Sequence, residues 1–348
     1  MPVAGFTIHS RFRDYPVEFS AAGGLSAAPG EVCVVDANVW RLHSTGLLAG
    51  LPADAVISFP VSEERKTLAG AQELYDRLIE RAPKKNTALL VIGGGILQDI
   101  AGFVASTLYR GINWRFWPTT LLAQGDSCIG AKTSLNYRGF KNLLGTFFPP
   151  AAVTIEPGFL ATQAEADYLS GVGEIVKLHL IGGKPAIESL TAGLAGLLRR
   201  DRAAASALIK AALLIKKSYI EDDELDAGRR NLLNFGHCFG HALEAASDYA
   251  VPHGQAVVLG IILANSVAVQ RGLLSTGRAE ALRRELLAPI VAGVSRRFDP
   301  ERVIAAMRQD KKRTGAGLAI VLLKDDGSLI RANDLSDSEA ATVLGGWQ

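Results

Sequence analysis

Hydrophobic and polar positions follow two alternating patterns in the first half of the chain. Apolar, β-branched runs such as EVCVVD, VISF and LLVI predict buried strands. Helical patterns lie between them, for example SEERKTLAGAQELYDRLIERA and the segment from Gln98 to Leu108. FTIHS and YPVEF predict a hairpin near the start, and the strand in EVCVVDANVW is expected to end in a loop at Asp36 and Asn38. Strands that alternate with helices predict a parallel sheet covered on both faces.

The pattern changes at about Glu165, after which long helical segments follow with few strand signals. The chain has 348 residues, more than one hydrophobic core usually organises, and 48% of them are hydrophobic. We therefore expect two domains, an α/β domain over residues 1–160 and an all-α domain over residues 161–348.

Composition narrows the class of protein. The formal net charge is only +2, which gives no electrostatic case for a nucleic-acid partner. Three cysteines lie far apart, which indicates reduced thiols in the cytoplasm and not a disulfide framework. The N-terminus lacks a signal-peptide pattern, and the apolar run Ala256–Val269 is too short and interrupted to span a bilayer. We expect a cytoplasmic protein without a membrane partner.

The stretch RNLLNFGHCFGHALEAASDYAVPHG contains three of the six histidines. In a helix, His237 and His241 would lie one turn apart on one face, and His253 begins an apolar helix after a polar turn. Glu174 has only apolar residues and glycine beside it, and a buried carboxylate is costly unless it is paired or metal-bound. These residues predict a zinc site with mixed nitrogen and oxygen ligands. Ordinary helix packing with satisfied histidines is the alternative.

A triple glycine, Gly93 to Gly95, follows the strand LLVI and precedes a helix. Such a turn lets backbone amides approach a phosphate at a helix N-terminus, although a tight turn without a ligand explains it nearly as well. Glu63 and Lys66 lie one helical turn apart and face either a ribose or solvent. Thr119 and Thr120 either bind polar ligand groups or cap a turn.

The segment QGDSCIGAKTSLNYRGFKNLLG places polar side chains among small residues. Its charged and amide residues are Asp126, Lys132, Asn136, Lys141 and Asn142. Together with Arg110 and Lys177, such groups suit a phosphorylated or carboxylated substrate. A solvated surface loop is the alternative for this segment.

At this point the chain resembles the 3-dehydroquinate synthases and the wider group of sugar-phosphate cyclases. The resemblance is densest in GGGILQDIAGF, PTTLLAQGDSCIGAKTSLN, FKNLLGTFFPP, GVGEIVK, RRNLLNFGHCFGHALE and VPHGQAV. It implies a dehydroquinate synthase-like fold, with a Rossmann-like NAD-binding domain followed by a helical domain that binds metal and substrate. It also implies a homodimer that uses NAD and a divalent metal, usually zinc, with cobalt as a substitute.

The resemblance assigns roles to individual residues. The implied metal ligands are Glu174, His237 and His253, while His241 is expected near the substrate and its leaving phosphate. The expected phosphate or carboxylate contacts are Lys132, Asn142, Lys177, Lys216, Arg230, Asn234 and Lys311. Arg110 is expected to reach the partner subunit's phosphate site, and Asp126 to contact both substrate and nicotinamide. The implied NAD-binding residues are Asp36, Asn38, Glu63, Lys66, Gly94, Gly95, Asp99, Thr119, Thr120, Lys141 and Thr162.

The chain departs from the family pattern around the substrate loop. Ala131 stands where a glycine is usual, Gln98 replaces a frequent glycine beside Asp99, and Tyr137-Arg138 replaces a frequent His-Pro. The resemblance implies conversion of 3-deoxy-D-arabino-heptulosonate 7-phosphate to 3-dehydroquinate and phosphate. A related cyclase with another sugar phosphate, such as sedoheptulose 7-phosphate, is the first alternative. A metal- and NAD-dependent alcohol dehydrogenase and a non-catalytic binding protein are the others.

Overall fold

A computed structural model describes residues 3–20, 25–81, 86–294, 298–308 and 317–346. It divides into two compact units, Met1–Gln163 and Ala164–Gln348, which we call the sheet unit and the helical unit. The division lies beside the predicted boundary after residue 160. Lys311, a predicted substrate contact, lies outside the described residues.

The sheet unit is built on a seven-stranded sheet among its described residues, in the order β1-β2-β9-β6-β5-β3-β4. The strands of this unit are β1 (Phe6–Ile8), β2 (Tyr15–Phe19), β3 (Val32–Asp36), β4 (Val56–Phe59), β5 (Leu89–Gly93), β6 (Trp114–Pro118), β7 (Leu135–Tyr137), β8 (Phe140–Leu144) and β9 (Ala152–Ile155). Neighbours in the large sheet are parallel except for the antiparallel pair β1–β2. The parallel sheet and the hairpin near the start are therefore confirmed. β5 lies inside the sheet between β6 and β3 with every residue buried, as its unbroken apolar run predicts.

Three α-helices accompany the sheet in the described part of this unit: α1 (Ala37–His43), α2 (Leu68–Glu80) and α3 (Gly95–Thr107). The prediction of a loop after β3 is wrong, because α1 begins there at once. The carboxylate of Asp36 caps it by accepting a hydrogen bond of 2.8 Å from the amide of Asn38. The helical segment after β4 is confirmed as α2, which begins after Thr67, whose hydroxyl accepts from the amide of Gly70.

The substrate-loop segment forms a separate antiparallel pair, β7–β8. Arg138 and Gly139 connect the two strands with φ angles of 50° and 78°. Positive φ angles at both positions are typical of a tight two-residue hairpin turn, and glycine adopts them without steric cost. The segment is therefore an ordered hairpin and not an irregular loop.

The helical unit contains long helices, as predicted. Its described helices are α4 (Glu165–Ile181), α5 (Lys184–Leu198), α6 (Arg202–Asp222), α7 (His237–Ala246), α8 (His253–Gln270), α9 (Thr276–Leu282), α10 (Pro300–Arg308) and α11 (Asp337–Gly345). The sequence analysis missed one antiparallel strand pair in this unit, β10 (Leu318–Leu323) with β11 (Leu329–Leu335). The run LAIVLL is apolar without alternation, so its period alone does not separate strand from helix.

Glycines let α4, α7 and α8 approach closely. A β-carbon on Gly173 of α4 would overlap the carbonyl oxygen of Gly254 in α8, and one on Gly260 would overlap that of Gly236. Gly236, which precedes His237, therefore makes a close backbone contact with α8. α8 is long and apolar enough to cross a membrane by length and composition, but 78% of it is buried inside the structure. Its packing against α4 and α7 accounts for its apolar composition.

Candidate functional site

The two helices α7 and α8 bring three histidines together next to a glutamate of α4. The ring centroids of His237, His241 and His253 lie 5.1–5.8 Å from one another. Nε2 of His253 lies 3.4 Å from Oε1 of Glu174, and Nε2 of His237 lies 4.0 Å from the same oxygen. Glu174 is only 2% exposed. We call Glu174, His237, His241, Glu244 and His253 the histidine cluster.

Hydrogen bonds on the far side of two rings decide which nitrogen faces Glu174. Nδ1 of His237 lies 3.2 Å from the carbonyl oxygen of Phe235, to which it donates. Nδ1 of His253 lies 3.0 Å from the carboxylate of Glu244 and donates to it. Both Nε2 atoms are thereby directed inward, and the ligand atoms of Glu174, His237 and His253 all lie within 4.8 Å of one another. Two imidazole nitrogens and one carboxylate oxygen in this arrangement fit a zinc-type ion with an open position.

The two inward histidines differ in protonation when no metal is bound. Burial, with Lys177 and the other two histidines as lesser causes, holds the pKa of His237 well below its usual range. Burial alone would also lower the pKa of His253, but the carboxylates of Glu174 and Glu244 raise it to about 10. His237 is therefore neutral and ready to bind a metal, whereas His253 must lose a proton on metal binding.

Sequence reasoning missed Glu244. It lies three residues after His241, on the next turn of α7, and is 7% exposed. Its carboxylate accepts a hydrogen bond from Nδ1 of His253, on the side of the ring away from Glu174. The signal was present in GHALEAA, since an acidic residue one turn from a histidine on a buried face needs a partner. A carboxylate in this position fixes the tautomer and the orientation of a metal-binding histidine.

The other predicted residues of the helical unit are partly or fully buried. Lys177 lies one turn after Glu174 on α4 and forms an ion pair with it. Lys216 of α6 and Arg230 are 8% and 9% exposed. The guanidinium of Arg230 donates to the carbonyl oxygen of Glu224 at 2.6 Å. Asn234 donates to the carbonyl oxygen of Asn231 and lines a pocket together with His237 and His241.

In the sheet unit, the glycine turn joins β5 to α3. Gly94 is the N-cap of α3 and supplies no side-chain cap, and a β-carbon on it would meet Cγ2 of Thr120 at 3.0 Å. Thr120 caps the turn that follows, because its hydroxyl accepts from the amide of Ala123 at 3.2 Å. The hydroxyl of Thr119 is buried and has no hydrogen-bond partner among the described residues. A bare helix N-terminus beside an unpartnered hydroxyl fits a phosphate-containing cofactor such as NAD.

Glu63 and Lys66 do not face solvent but join one polar network with the β7–β8 hairpin. Nζ of Lys66 lies 2.6 Å from the carboxylate of Asp99 and donates to Oδ1 of Asn142 at 2.7 Å. Ser134 donates to Asp99 at 2.9 Å, and Asn136 donates to the carboxylate of Glu63 at 2.8 Å. Burial raises the pKa of Asp99, although Lys66 and Ser134 lower it in part. We call Glu63, Lys66, Asp99, Ser134, Asn136 and Asn142 the Lys66 network.

The remaining predicted residues of this unit are not among the six residues of that network. The side chain of Asn38 accepts a hydrogen bond from Arg41, and the hydroxyl of Thr162 lies 2.8 Å from Nε2 of His43. Gly95 begins α3, and Asp126 lies in a π-helical turn over residues 123–127. The predicted cations Arg110, Lys132 and Lys141 are exposed. Arg110 has a left-handed backbone with φ 66°.

Comparison with known proteins agrees with this arrangement. The family description 3-dehydroquinate synthase N-terminal matches residues 56–170, and 3-dehydroquinate synthase C-terminal matches residues 171–313. A 3-dehydroquinate synthase from Geobacter metallireducens is 37% identical over 296 residues, 83% of this chain and 81% of that protein.

Two solved structures are similar over nearly the whole chain. A 2-deoxy-scyllo-inosose synthase complexed with carbaglucose-6-phosphate, NAD+ and Co2+ has a TM-score of 0.87 over 99% of this chain and 100% of that one. At 22% identity it supports the fold alone. A 2-epi-5-epi-valiolone synthase from Streptomyces hygroscopicus with NAD+ and Zn2+ bound is 28% identical, with a TM-score of 0.81 over 96% of each chain. On the two family matches and the 37% identity, the chain belongs to the 3-dehydroquinate synthase family.

Proposed function

We propose that this protein is a cyclising carbon–oxygen lyase of the 3-dehydroquinate synthase type. Its substrate is 3-deoxy-D-arabino-heptulosonate 7-phosphate, and its products are 3-dehydroquinate and phosphate. The observation that carries the proposal is the convergence of Glu174, His237 and His253 in a member of this family. The same three residues are the metal ligands that the sequence analysis predicts.

The residues present fit both cofactors of the reaction. Zn2+, or Co2+ in its place, would be held by the inward ligand atoms of Glu174, His237 and His253. NAD would lie at the glycine turn before α3, where the hydroxyl of Thr119 lacks a protein partner. When bound, the metal would supply polarisation of a substrate hydroxyl, and NAD would supply a reversible hydride acceptor. The reaction then comprises oxidation, phosphate elimination, reduction and intramolecular aldol closure.

Side chains of the protein bind the anionic groups of the substrate and exchange protons with it. Lys177, Lys216 and Arg230 are buried cations of the helical unit, and of these Lys177 already pairs with Glu174. A substrate with both a phosphate and a carboxylate supplies two anions. Arg230 suits the carboxylate because its planar guanidinium forms two parallel hydrogen bonds. His241 lies beside the proposed metal ligands and is exposed, so its ring can exchange a proton with the substrate.

The test is phosphate release from two sugar phosphates, each at equal enzyme with saturating NAD and Zn2+. We expect turnover of 3-deoxy-D-arabino-heptulosonate 7-phosphate to exceed that of sedoheptulose 7-phosphate, which lacks the carboxylate. Arg230→Ala should weaken the binding of the carboxylated substrate by roughly 2–5 kcal/mol. It should also narrow the difference in turnover between the two substrates. Faster phosphate release from sedoheptulose 7-phosphate would contradict this substrate assignment.

A related cyclase with another substrate is the second candidate. The divergent hairpin at Tyr137 and Arg138 and the 28% identity to a 2-epi-5-epi-valiolone synthase favour it. NADH absorbance, followed in parallel, separates both cyclases from a dehydrogenase, because a cyclase returns the hydride within each turnover. Accumulation of NADH in proportion to product would overturn the proposal.

We also propose a homodimer in the cytoplasm, in which Arg110 reaches the partner's site. The family resemblance and the exposed, left-handed position of Arg110 support this assembly. Sedimentation of the intact chain gives its oligomeric state. If Arg110 acts across the interface, mixing Arg110→Ala subunits with His237→Ala subunits should restore part of the activity, and a strictly monomeric protein would contradict the assembly.

A further inference from the structure

Gln98 of α3 contacts the π-helical turn over residues 123–127, and neither the family resemblance nor the proposed function gives it a role. Its Nε2 donates to the carbonyl oxygen of Ser127 at 2.7 Å, and its Oε1 accepts from the hydroxyl of Ser127 at 2.8 Å. Because a carbonyl oxygen only accepts hydrogen bonds, the orientation of the amide is fixed. Gln98 is buried. One buried amide therefore holds both the main chain and the side chain of the last residue of the turn.

The turn that Gln98 holds has an uncommon backbone. The amide of Cys128 donates to the carbonyl oxygen of Ala123 at 3.0 Å, five residues earlier, where an α-helix has a spacing of four. Single π-helical turns of this kind are frequent at functional sites. Asp126, which the family resemblance places at the substrate and the nicotinamide, lies inside this turn and directly before Ser127. The hydrogen bonds of Gln98 therefore act on the neighbour of Asp126.

The same segment lies against the glycine turn that is proposed to bind NAD. A β-carbon on Gly95 would meet the hydroxyl oxygen of Ser127 at 3.3 Å, and one on Gly94 would meet Cγ2 of Thr120 at 3.0 Å. The backbone amide of Gln98 donates to the carbonyl oxygen of Gly94 at 3.0 Å. Gln98 is thus hydrogen-bonded to the glycine turn through its main chain and to the π-helical turn through its side chain.

A different side chain holds the start of the π-helical turn. Nε2 of Gln124, which is fully buried, donates to the carbonyl oxygens of Pro118 and Glu156 at 3.0 and 2.9 Å. Pro118 ends β6, and Glu156 directly follows β9. Loss of the Gln98 side chain would therefore leave the start of the turn in place and release its end, where Asp126 lies.

We propose that Gln98 is a positioning residue, which holds Asp126 in the orientation that contacts the nicotinamide and the substrate. The inference rests on the proposed function, which requires both ligands, and on the contacts that the family resemblance expects of Asp126. A displacement of about 1 Å in a group that orients reactants lowers a rate by up to roughly 100-fold. Glycine, which is frequent at this position in the family, has no side chain to form these hydrogen bonds. This way of holding the turn therefore distinguishes the chain from relatives that have glycine there.

The experiment measures NAD binding and phosphate release for Gln98→Met, Asp126→Ala and the double variant. Methionine keeps the length and the helix propensity of glutamine and removes both hydrogen-bonding atoms. Gln98→Met should raise the Kd for NAD by roughly 3–10-fold. It should lower kcat/KM for 3-deoxy-D-arabino-heptulosonate 7-phosphate by roughly 10–100-fold. In the Asp126→Ala background, the same substitution should change either quantity by less than about 2-fold, because the group that Gln98 positions is absent.

Tyr168→Phe is the matched control for the loss of a buried hydrogen bond. The hydroxyl of Tyr168 donates to the carbonyl oxygen of Leu197 at 2.7 Å in the helical unit, the same length as the bond from Gln98 to the carbonyl of Ser127. Like Gln98→Met, it should lower the urea midpoint, but it should leave the Kd for NAD and kcat/KM unchanged. Ser127→Ala removes the hydroxyl contact and keeps the carbonyl contact, so it should raise the Kd for NAD less than Gln98→Met does.

Two results would overturn the inference. One is a folded Gln98→Met protein with the wild-type Kd for NAD and the wild-type kcat/KM. The other is an equal effect of Gln98→Met with and without the Asp126 side chain, which would show that Gln98 does not act through Asp126. Failure of the proposed function gives a different result. If neither sugar phosphate releases phosphate, but Gln98→Met raises the Kd for NAD only when Asp126 is present, the cyclase assignment falls and the positioning of Asp126 by Gln98 stands.

Discussion

Each unit of the protein contains a lysine–carboxylate pair with a buried lysine, and the two pairs have different surroundings. Lys66 and Asp99 pair in the sheet unit, and Lys177 and Glu174 pair in the helical unit. Around Lys66 and Asp99, the further groups are a serine and an amide that hydrogen-bond to the pair. Around Glu174, the further groups are two imidazoles whose Nε2 atoms face the same carboxylate oxygen.

The difference lies in the groups that each pair offers to a ligand. The Lys66 network, whose residues Glu63, Lys66 and Asp99 the family resemblance assigns to NAD, ties the β7–β8 hairpin to the turn before α2. The histidine cluster directs several lone-pair donor atoms at one position. A cation at that position satisfies these donors better than a neutral side chain does. By itself, a buried ion pair is therefore weak evidence of function. The donor atoms around it indicate whether it belongs to a ligand site.

The largest effect is expected from a ligand of the histidine cluster. His237→Ala should reduce bound metal from about one ion per chain to below about one tenth, because a three-ligand site loses one of its nitrogens. Phosphate release should be lost with the metal. Elemental analysis of the purified protein measures the first effect. His241→Ala is the matched control and should keep the metal but lose turnover. Stoichiometric zinc in His237→Ala would remove His237 from the ligand set.

Substitution of Lys66 should lower the stability of the sheet unit. Lys66→Met leaves the half-buried carboxylate of Asp99 without its cation, which should lower the free energy of unfolding by about 1–3 kcal/mol. Adding Asp99→Asn removes the stranded charge and should restore part of that loss. Urea unfolding followed by tryptophan fluorescence reports mainly on this unit, because three of the four tryptophans, Trp40, Trp114 and Trp117, belong to it. Equal stability of Lys66→Met and wild type would show that the pair is not structural.

Glu244 tests whether the histidine cluster depends on the carboxylate behind it. Glu244→Ala should weaken Zn2+ binding by roughly 10–100-fold, because His253 loses the group that orients its ring. The zinc affinity of Glu244→Gln should lie between those of wild type and Glu244→Ala, since an amide oxygen still accepts a hydrogen bond from Nδ1 of His253. Competition with a chelator gives the affinities. Glu339→Ala, which removes the partner of Arg271 in the same unit, should leave the zinc affinity at the wild-type value.

The smallest effect is expected at the glycine turn. Thr119→Val replaces a buried hydroxyl that has no described partner, so the free energy of unfolding should change little. The Kd for NAD should rise by roughly 2–10-fold, the value of one hydrogen bond. Fluorescence titration with NAD measures this change. An unchanged Kd would place the cofactor away from Thr119.

The sequence by itself determined the elements with strong periodicity and the residue types of the proposed metal site. β5 follows from an apolar run that ends in glycines, and α8 follows from a long apolar run after His253. Two histidines four apart and a third at a helix start are local facts of the chain. They predict convergence because helix geometry places residues one turn apart on one face.

Only the tertiary structure decided which polar residues share a site. Glu244 and His253 are nine positions apart in sequence, yet their contact depends on the packing of α7 against α8. The sequence placed Lys66 beside either a ribose or solvent, whereas the fold pairs it with Asp99. The pocket beside His237 and His241 also lacks a local signal, since the strand β10 on its apolar side was not predicted. Side-chain partners across long sequence distances are set by packing, and a periodic pattern does not contain that information.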